Sequence, residues 1–193
     1  MSSIAAAQVS HRDRLVTAAA RFTAENGWAV LTMAKLADLV GVSRQTVYNE
    51  IGGKPQLAEA MVLRELELFL QVVDSAFQDN PDDLVRAIEA ASFRVLELAG
   101  TDPLLHAILS SSQGAESELL PLLTTNSEPL LGTAGQMIRE HIANYEVPLE
   151  EPRVEVLIDM VVRLVLSHVM QPTAQPAETA ETIAWIAERV LSA

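Results

Sequence analysis

The sequence of 193 residues contains no cysteine and few aromatic residues. Without thiols the chain cannot form a disulfide framework, a thiolate zinc site or a cysteine nucleophile, and it suits a reducing cytoplasm. Aromatic residues make up only 4% of the chain, whereas Ala and Leu are abundant and runs of β-branched residues are short. Because this composition favours helix over sheet, we expect an all-α fold.

Long hydrophobic runs are also missing. Arg163 interrupts the best candidate, residues 154–170, which falls short of the roughly 20 apolar residues that span a bilayer. Residues 1–4 have neither the basic start nor the apolar stretch of a signal peptide. We therefore expect a cytoplasmic protein with no membrane partner.

Catalytic and metal-binding patterns are equally scarce. The four histidines are scattered without HExxH spacing, and the adjacent Glu140 and His141 point in different directions on a helix. No GxSxG elbow occurs, and Gly52-Gly53-Lys54 lacks the preceding strand and the following Ser or Thr of a phosphate-binding loop. These absences argue against an enzyme and predict no metal site and no cofactor.

Basic residues are outnumbered, and a net charge of −13 is unfavourable for a nucleic-acid binder because phosphates repel acidic surfaces. The charge is unevenly distributed, however. Residues 1–54 carry six cations and four anions, or +2, and the remainder carries seven cations and twenty-two anions, or −15. A small segment can carry fewer acids by chance, but such asymmetry also indicates two functions. We divide the chain into an N-terminal domain, residues 1–54, and a C-terminal domain, residues 55–193.

The N-terminal segment has the boundary signals of three short helices. Ser10 begins the first helix with a capping box, and Gly27 ends it. Thr32 caps the second helix, which Gly41 breaks, and Ser43 caps the third. A connection of about three residues that contains glycine is typical of a helix-turn-helix.

The third helix exposes side chains that suit the reading of DNA. Arg44 can chelate guanine, and Gln45 can pair with adenine. Thr46 offers a hydroxyl and a methyl group, and Tyr48 can reach a phosphate. In an arbitrary protein the same side chains would form a solvated helix face.

The residue types and their spacing in this segment resemble the pattern of the TetR family of regulators. The matching positions are Thr32, Leu36-Ala37, Gly41-Val42-Ser43 and Tyr48, followed by Ile51, Lys54 and Leu57. The resemblance implies a three-helix DNA-binding domain followed by a helical ligand-binding and dimerisation bundle, with about nine helices in all. Two departures stand out: Glu50 replaces a neutral or basic ring, and Gly52-Gly53 replaces a more ordered turn.

The resemblance also implies that Tyr48 and Lys54 contact phosphates and that Thr32 anchors the DNA backbone. Lys35 is equally well explained as a solvated side chain. The predicted DNA-binding residues are Thr32, Lys35, Ser43, Arg44, Gln45, Thr46, Tyr48, Asn49 and Lys54.

Apolar periodicity predicts helices throughout the C-terminal domain. Asn80 is expected to cap the helix that ends at Gly100, with Pro81 at its first position. Pro121, Pro129 and Gly132 are interpreted as breaks within residues 114–132, which are expected to form an irregular segment or two short helices. The expected helices are 55–77, 81–98, 103–112, 133–145, 154–169 and 177–191.

The last two predicted helices are amphipathic, and the resemblance implies that they form a four-helix dimer interface. A two-fold dimer also reads two half-sites and gains specificity from their spacing. An ordinary intrachain core is the alternative for the same residues. The predicted interface residues are Val154, Leu157, Ile158, Val161, Val165, His168, Ile183, Ile186 and Val190.

An effector is expected to bind between the helices of the bundle. The scarcity of aromatic residues favours an aliphatic or acyl-type effector that releases a repressor from its operator; a protein-interaction or effector-less regulator is the alternative. Each polar candidate would equally serve as an ordinary core residue or surface charge. The predicted effector-binding residues are Phe93, Arg94, His106, Leu109, Gln113, Met137, His141, Met160, Arg163 and Leu164.

Overall fold

The computed structural model describes residues 10–110 and 118–192, in which all regular structure is helical. The predicted all-α fold is confirmed, and one of its helices, α7, is a single turn. The elements are α1 (His11–Asn26), a 3-10 turn (Trp28–Val30), α2 (Met33–Val40), α3 (Arg44–Ile51), α4 (Lys54–Asp79), α5 (Leu84–Ala99), α6 (Pro103–Ser110), α7 (Leu120–Leu123), α8 (Glu128–Ile142), α9 (Glu151–Met170) and α10 (Pro176–Leu191).

The chain divides into two compact units that alternate along the sequence. The N-terminal unit comprises the described residues of Met1–Arg64 and Pro103–Leu120, and the C-terminal unit those of Glu65–Asp102 and Pro121–Ala193. Within the N-terminal unit, α6 packs against α1. The predicted boundary after residue 54 describes functional domains and stays a prediction. The two packing units do not follow this boundary, because α6 packs against α1 and so is part of the N-terminal unit.

The three N-terminal helices begin where their capping residues predict. Ser10 Oγ accepts from the amide of Asp13 at 3.0 Å, and the Asp13 carboxylate accepts from the Ser10 amide at 3.3 Å. Thr32 Oγ1 and Ser43 Oγ accept from amides three residues later at 3.1 and 3.0 Å. These bonds satisfy helix amides that have no partner within the helix.

Gly41 makes the turn between α2 and α3. Its φ of 77° and ψ of 37° are left-handed, and its amide donates to the carbonyl of Ala37 at 2.9 Å. The amide of Val42 donates to the same carbonyl at 3.0 Å, and Ser43 then caps α3. The chain therefore turns from α2 into α3 within three residues, which gives the predicted helix-turn-helix.

The C-terminal unit is built on the packing of α10 and α9 against α5, and of α8 against α9. Its core is almost entirely aliphatic, with Phe77 as its one aromatic member. Tyr145 lies beside that core and donates from its hydroxyl to the carbonyl of Asn80 at 2.8 Å. Burial raises the pKa of the Tyr145 hydroxyl, which stays protonated and able to donate.

The start of α5 differs from the sequence prediction. Asp83, rather than Asn80, is the N-cap, and its carboxylate accepts from the amide of Arg86 at 2.9 Å. The Asn80 side chain instead donates back to the carbonyl of Ala76 at 2.8 Å. The proposed cap is wrong because Asn80 closes α4, which leaves Pro81 in the turn before α5.

The start of α8 also differs, since this helix begins at Glu128 rather than near residue 133. Pro129 occupies its first turn, where no amide hydrogen is needed. Gly132 lies inside the helix and does not break it. Pro129 and Gly132, interpreted as breaks, are therefore residues of α8, and Pro121 lies in the single turn of α7.

The structure also shows two absences that bear on function. Across residues 10–110 and 118–192, no helix combines the length and the apolarity that crossing a membrane requires. In the same ranges, no three acidic or histidine side chains come together in a group that could hold a metal ion.

Gly41 and Gly132 allow a matched test of these helix boundaries. A Cβ at either position would meet open space, so only backbone conformation differs between them. Gly41→Ala should lower the free energy of unfolding by about 1 kcal/mol, because only glycine adopts the left-handed turn without strain. Gly132→Ala should raise it by about 0.5–1 kcal/mol, because alanine favours helix. Urea unfolding followed by circular dichroism measures both, and changes of the same sign would contradict the assignment.

Candidate DNA-binding face and effector site

The third helix, α3, buries one face and exposes the other. Val47 is fully buried, so that the neighbouring Arg44, Gln45 and Tyr48 project to solvent. Tyr48 is 53% exposed, so its ring and hydroxyl are accessible from solvent. The exposed face carries donors, an acceptor and a ring within one helical turn, which is the chemistry that base edges and phosphates require.

Hydrogen bonds on α3 limit how its polar side chains move. Gln45 Nε2 donates to Asn49 Oδ1 at 2.8 Å, one turn later. The oxygen of Gln45 and one amide hydrogen stay available, as a bidentate contact with adenine needs. Thr46 is half-buried, and its hydroxyl lies 2.8 Å from Ser43 Oγ. Ser43 and Thr46 thus stabilise the helix start in addition to any contact with DNA.

Each of the two predicted lysines of this unit lies over an aromatic ring. Lys35 Nζ lies 4.7 Å from the ring centroid of Phe22. Lys54 Nζ lies 4.6 Å from the ring centroid of Trp28 and donates to the Trp28 carbonyl at 3.1 Å. Lys54 therefore has an intramolecular anchor, and the N–H groups left over are what it can offer to a phosphate.

Two arginines on α1 form contacts that the sequence analysis did not identify. Arg12 Nη1 donates to the carbonyl of Glu50 at 2.8 Å, and Arg14 Nη2 donates to the carbonyl of Val40 at 3.3 Å. These carbonyls lie at the C-terminal ends of α3 and α2, helices with no basic residue in their last turns. A cation at the negative end of a helix is stabilising. The missing basic residues were the only sequence signal for these contacts.

The cationic side chains predicted to bind an effector are already paired. Arg94 Nη2 lies 2.6 Å from Asp79 Oδ2, and Arg163 Nε lies 2.8 Å from Asp159 Oδ2. The hydrogen bond with Asp159 raises the pKa of the Arg163 guanidinium above its ordinary value. An anionic effector group would meet a nearby carboxylate at either position and would have only the remaining guanidinium N–H groups to bind.

One of the two histidines predicted to bind an effector, His141, is paired as well. His141 Nε2 lies 3.0 Å from Asp74 Oδ1, and its ring stacks on Phe77 at a centroid distance of 4.9 Å. Phe93, Leu109, Met137 and Leu164 are half-buried, and His106 and Met160 are exposed. Gln113 lies outside the described residues.

A cleft of about 560 Å³ opens beside α8 and α9 in the C-terminal unit. Arg139 and Glu155 line it and form a two-pronged ion pair, with Nη2 and Oε2 at 2.6 Å. The hydrogen bond from Arg139 holds the pKa of the Glu155 carboxyl below its ordinary value. Of the predicted effector-binding residues, only Arg163 lines this cleft. Its charged walls do not match the apolar site expected for an aliphatic effector.

The structure places three of the predicted interface residues inside the protomer. Leu157, Ile158 and Ile183 are buried in the core of the C-terminal unit, with exposed fractions of 2–4%. Their side chains already fill the intrachain core, which was the stated alternative, so a partner could not reach them. The half-buried members of the predicted set are Val154, Val161, Val165, His168 and Ile186, and Val190 is exposed.

Other hydrophobic residues of α9 and α10 face solvent instead. Val156 and Met160 are separated by one helical turn on α9, with exposed fractions of 55% and 52%. Trp185 on α10 is 55% exposed, and Arg189 lies 5.7 Å from its ring centroid. Val156 and Trp185 are not among the predicted interface residues, because the broad apolar face of an amphipathic helix does not show which of its residues will face solvent.

Comparisons with known proteins match both parts of the chain. The family described as "Bacterial regulatory proteins, tetR family" matches residues 15–61, and the family described as "Bacterial Tetracyclin repressor, C-terminal domain" matches residues 83–189. The HTH-type transcriptional regulator AlkX of Mycobacterium tuberculosis is 27% identical over 173 residues, which cover 90% of this chain and 81% of that protein.

Solved structures of regulators share the fold over nearly the whole chain. The TetR family repressor AlkX from Dietzia sp., implicated in biodegradation of n-alkanes, has a TM-score of 0.76 at 23% identity, covering 95% of this chain and 96% of that one. The structure of RolR without ligand has a TM-score of 0.62 at 14% identity, with coverages of 93% and 96%. At these identities the likeness establishes the fold.

Proposed function

The chain belongs to the TetR family of bacterial regulatory proteins, and we propose that it is a dimeric repressor of a palindromic operator. We further propose that a largely aliphatic or acyl-type effector releases it from DNA. One observation carries the DNA-binding step: Arg44, Gln45 and Tyr48 project from α3 immediately after the tight turn at Gly41.

The N-terminal unit supports insertion of α3 into the major groove. Helix α3 has the exposed reading face, and α2 crosses it at the helix-turn-helix, so Thr32 at the start of α2 is proposed as a phosphate anchor. The Thr32 oxygen accepts from the Lys35 amide, and its hydroxyl hydrogen is left to donate to a phosphate. Asn49 and Lys54 complete the proposed contacts.

A second copy of the chain is the proposed occupant of the exposed hydrophobic surface on α9 and α10. Val156, Met160, Trp185 and Val190 hold four of the five large exposed hydrophobic side chains in the described C-terminal unit; Leu68 on α4 is the fifth. Exposed tryptophan and methionine are enriched in interfaces, where burying them removes apolar surface from water. The same patch on both copies forms a two-fold interface.

The proposed interface therefore differs from the predicted set. It keeps Val190 and the half-buried residues Val154, Val161, Val165, His168 and Ile186, adds the exposed hydrophobic residues, and omits the three that are buried in the core. A two-fold dimer would hold two copies of α3 for half-sites about 34–36 Å apart, one turn of the duplex.

The aliphatic effector is proposed from composition and from relatives. The chain has only four Phe, two Tyr and two Trp, so few rings are available to stack on a planar compound. One structural relative is a repressor implicated in biodegradation of n-alkanes. A thousandfold release from DNA would require about 4 kcal/mol of coupling between effector and operator.

An effector-less regulator is the second candidate, and one observation favours it. Three of the five charged or polar side chains expected to hold an effector, Arg94, His141 and Arg163, each pair with a carboxylate of the same chain. If no effector displaces these carboxylates, the chain would regulate through its concentration or through a protein partner. The effector experiment below separates the two.

Selection of bound sites from random duplex DNA tests the DNA-binding step, and a palindrome is the expected result. Arg44→Ala should weaken binding to the selected site by about 1–3 kcal/mol and relax its preference at one base pair. Arg21→Ala is the matched control, because Arg21 carries the same charge but pairs with Glu25 on α1. A selection without sequence preference, or equal losses for both variants, would refute the assignment.

Sedimentation velocity tests the proposed interface. Trp185→Glu should convert dimer to monomer, because it places a charge in the centre of an apolar contact. Leu68→Glu is the control, since Leu68 is a similarly exposed hydrophobic residue outside α9 and α10. Dimers that persist in Trp185→Glu, or that dissociate equally in Leu68→Glu, would count against this surface.

Release of the selected duplex by acyl esters of increasing chain length tests the effector. Each buried methylene contributes about 0.8 kcal/mol, so the concentration needed for release should fall about three- to fourfold per added carbon. A planar aromatic compound of equal carbon number should release the duplex poorly. An absence of release across the series, with DNA binding intact, would favour the effector-less regulator.

A further inference from the structure

Trp28 joins two residues that lie far apart in the sequence. Its side chain is buried, with an exposed fraction of 5%. Its indole Nε1 donates to Glu118 Oε2 at 3.2 Å, and its carbonyl and ring face Lys54 Nζ at 3.1 and 4.6 Å. We name Glu118, Trp28 and Lys54 the Trp28 bridge. All three residues lie in the N-terminal unit.

The bridge restricts an ammonium group that would otherwise be mobile. A free lysine side chain samples many rotamers and loses rotamer entropy when it is fixed. Here the Trp28 carbonyl accepts one N–H, and the ring faces the positive charge. Two N–H groups remain for an external acceptor. Lys54 is the half-buried first residue of α4 and directly follows Gly52 and Gly53.

Glu118 in turn restrains Trp28. A carboxylate that accepts from an indole N–H forms a charge-assisted hydrogen bond, which is stronger than a neutral one. Together with the burial of the indole, this bond sets the plane of the ring over which Lys54 lies. Glu118 is 90 positions from Trp28 in the chain, so the restraint is tertiary and does not come from the helix-turn-helix itself.

We propose that Glu118 is a positioning residue for DNA binding: it holds Trp28, and Trp28 holds the Lys54 ammonium where it donates to a phosphate of the duplex. The proposal rests on the DNA-binding function proposed above. In this proposal an acidic side chain favours the binding of DNA, although its charge repels the phosphates. The direction in which DNA affinity changes when Glu118 is replaced therefore tests the proposal.

Two substitutions at Glu118 separate positioning from simple charge. Glu118→Gln and Glu118→Leu remove the same negative charge, but only Gln keeps an oxygen that accepts from the indole. Electrostatics alone predicts that both variants bind DNA more tightly, because a repulsive charge is lost. Positioning predicts that Glu118→Leu binds about three- to tenfold more weakly than Glu118→Gln.

The probe is the duplex selected from random DNA, or a mixed-sequence duplex if selection returns no preferred site. Loss of one ordered phosphate contact should reduce the slope of log affinity against log salt by about 0.9 in Glu118→Leu. The weakening should be the same for every sequence, since a phosphate contact carries no base preference. Equal affinities and equal slopes for the Leu and Gln variants would overturn the proposal.

A second variant set distinguishes positioning from a general structural role. In a Lys54→Ala background, Glu118→Leu should have no further effect on DNA affinity, because the group that it positions is gone. Trp28→Phe, which keeps a ring but removes the indole N–H, should mimic Glu118→Leu and should not add to it. Losses that persist in the Lys54→Ala background would show that Glu118 only stabilises the fold, and thermal unfolding of each variant would record that loss separately.

Failure of the inference and failure of the proposed function look different in these measurements. A wild-type chain that binds no duplex at low salt would overturn both. If the wild-type chain binds a duplex, and Glu118→Leu and Glu118→Gln bind it with equal affinities and equal salt slopes, only the positioning role of Glu118 is overturned.

Discussion

The proposed DNA-reading face depends on how α1 holds α2 and α3. Helices of eight residues are not stable alone in water, so these two persist because they pack against a partner. Leu15 and Ala19 of α1 are fully buried in that packing. Arg12 and Arg14, on the same helix, then donate to the last carbonyls of α3 and α2. One helix therefore supplies both the apolar surface and the cations that the two short helices lack.

This arrangement affects how the charge of the chain is used. Of the six cations in residues 1–54, Arg12, Arg14 and Lys54 donate to backbone carbonyls, and Arg21 pairs with Glu25. Arg44 has no such bond among the described residues and lies at the start of the reading helix. The net charge of +2 is thus a poor measure of DNA affinity. What matters is the position of each cation and the number of its donors that remain for phosphates.

Features set by neighbours in the chain were predictable from the sequence. The caps at Ser10, Thr32 and Ser43, and the turn at Gly41, follow from residue types within four positions of each helix end. The cap of α5 was mispredicted because Asn80 had a competing local bond, back to the carbonyl of Ala76. Even a local signal fails where one side chain can satisfy either of two helices.

Features set by distant parts of the chain were not predictable in this way. The apolar pattern of α9 identifies Leu157 and Met160 alike as hydrophobic, yet one is in the core and the other is half exposed. Packing against α5 and α8 decides which face of α9 is buried, and the spacing of apolar residues within α9 does not predict that face. The effector site has the same difficulty, since the carboxylates that occupy Arg94 and His141 come from α4.

Lys54 shows how the two kinds of information combine. Its place in the sequence pattern predicts, through resemblance alone, that it meets a phosphate. The structure adds that its ammonium is tethered to Trp28, 26 positions earlier, and that Trp28 is held by Glu118. A contact defined by sequence motif therefore depends on residues outside the motif. Two chains with the same helix-turn-helix could differ in DNA affinity if they differ at the residue that fills the place of Glu118, because a lysine that is not held loses more entropy when it binds.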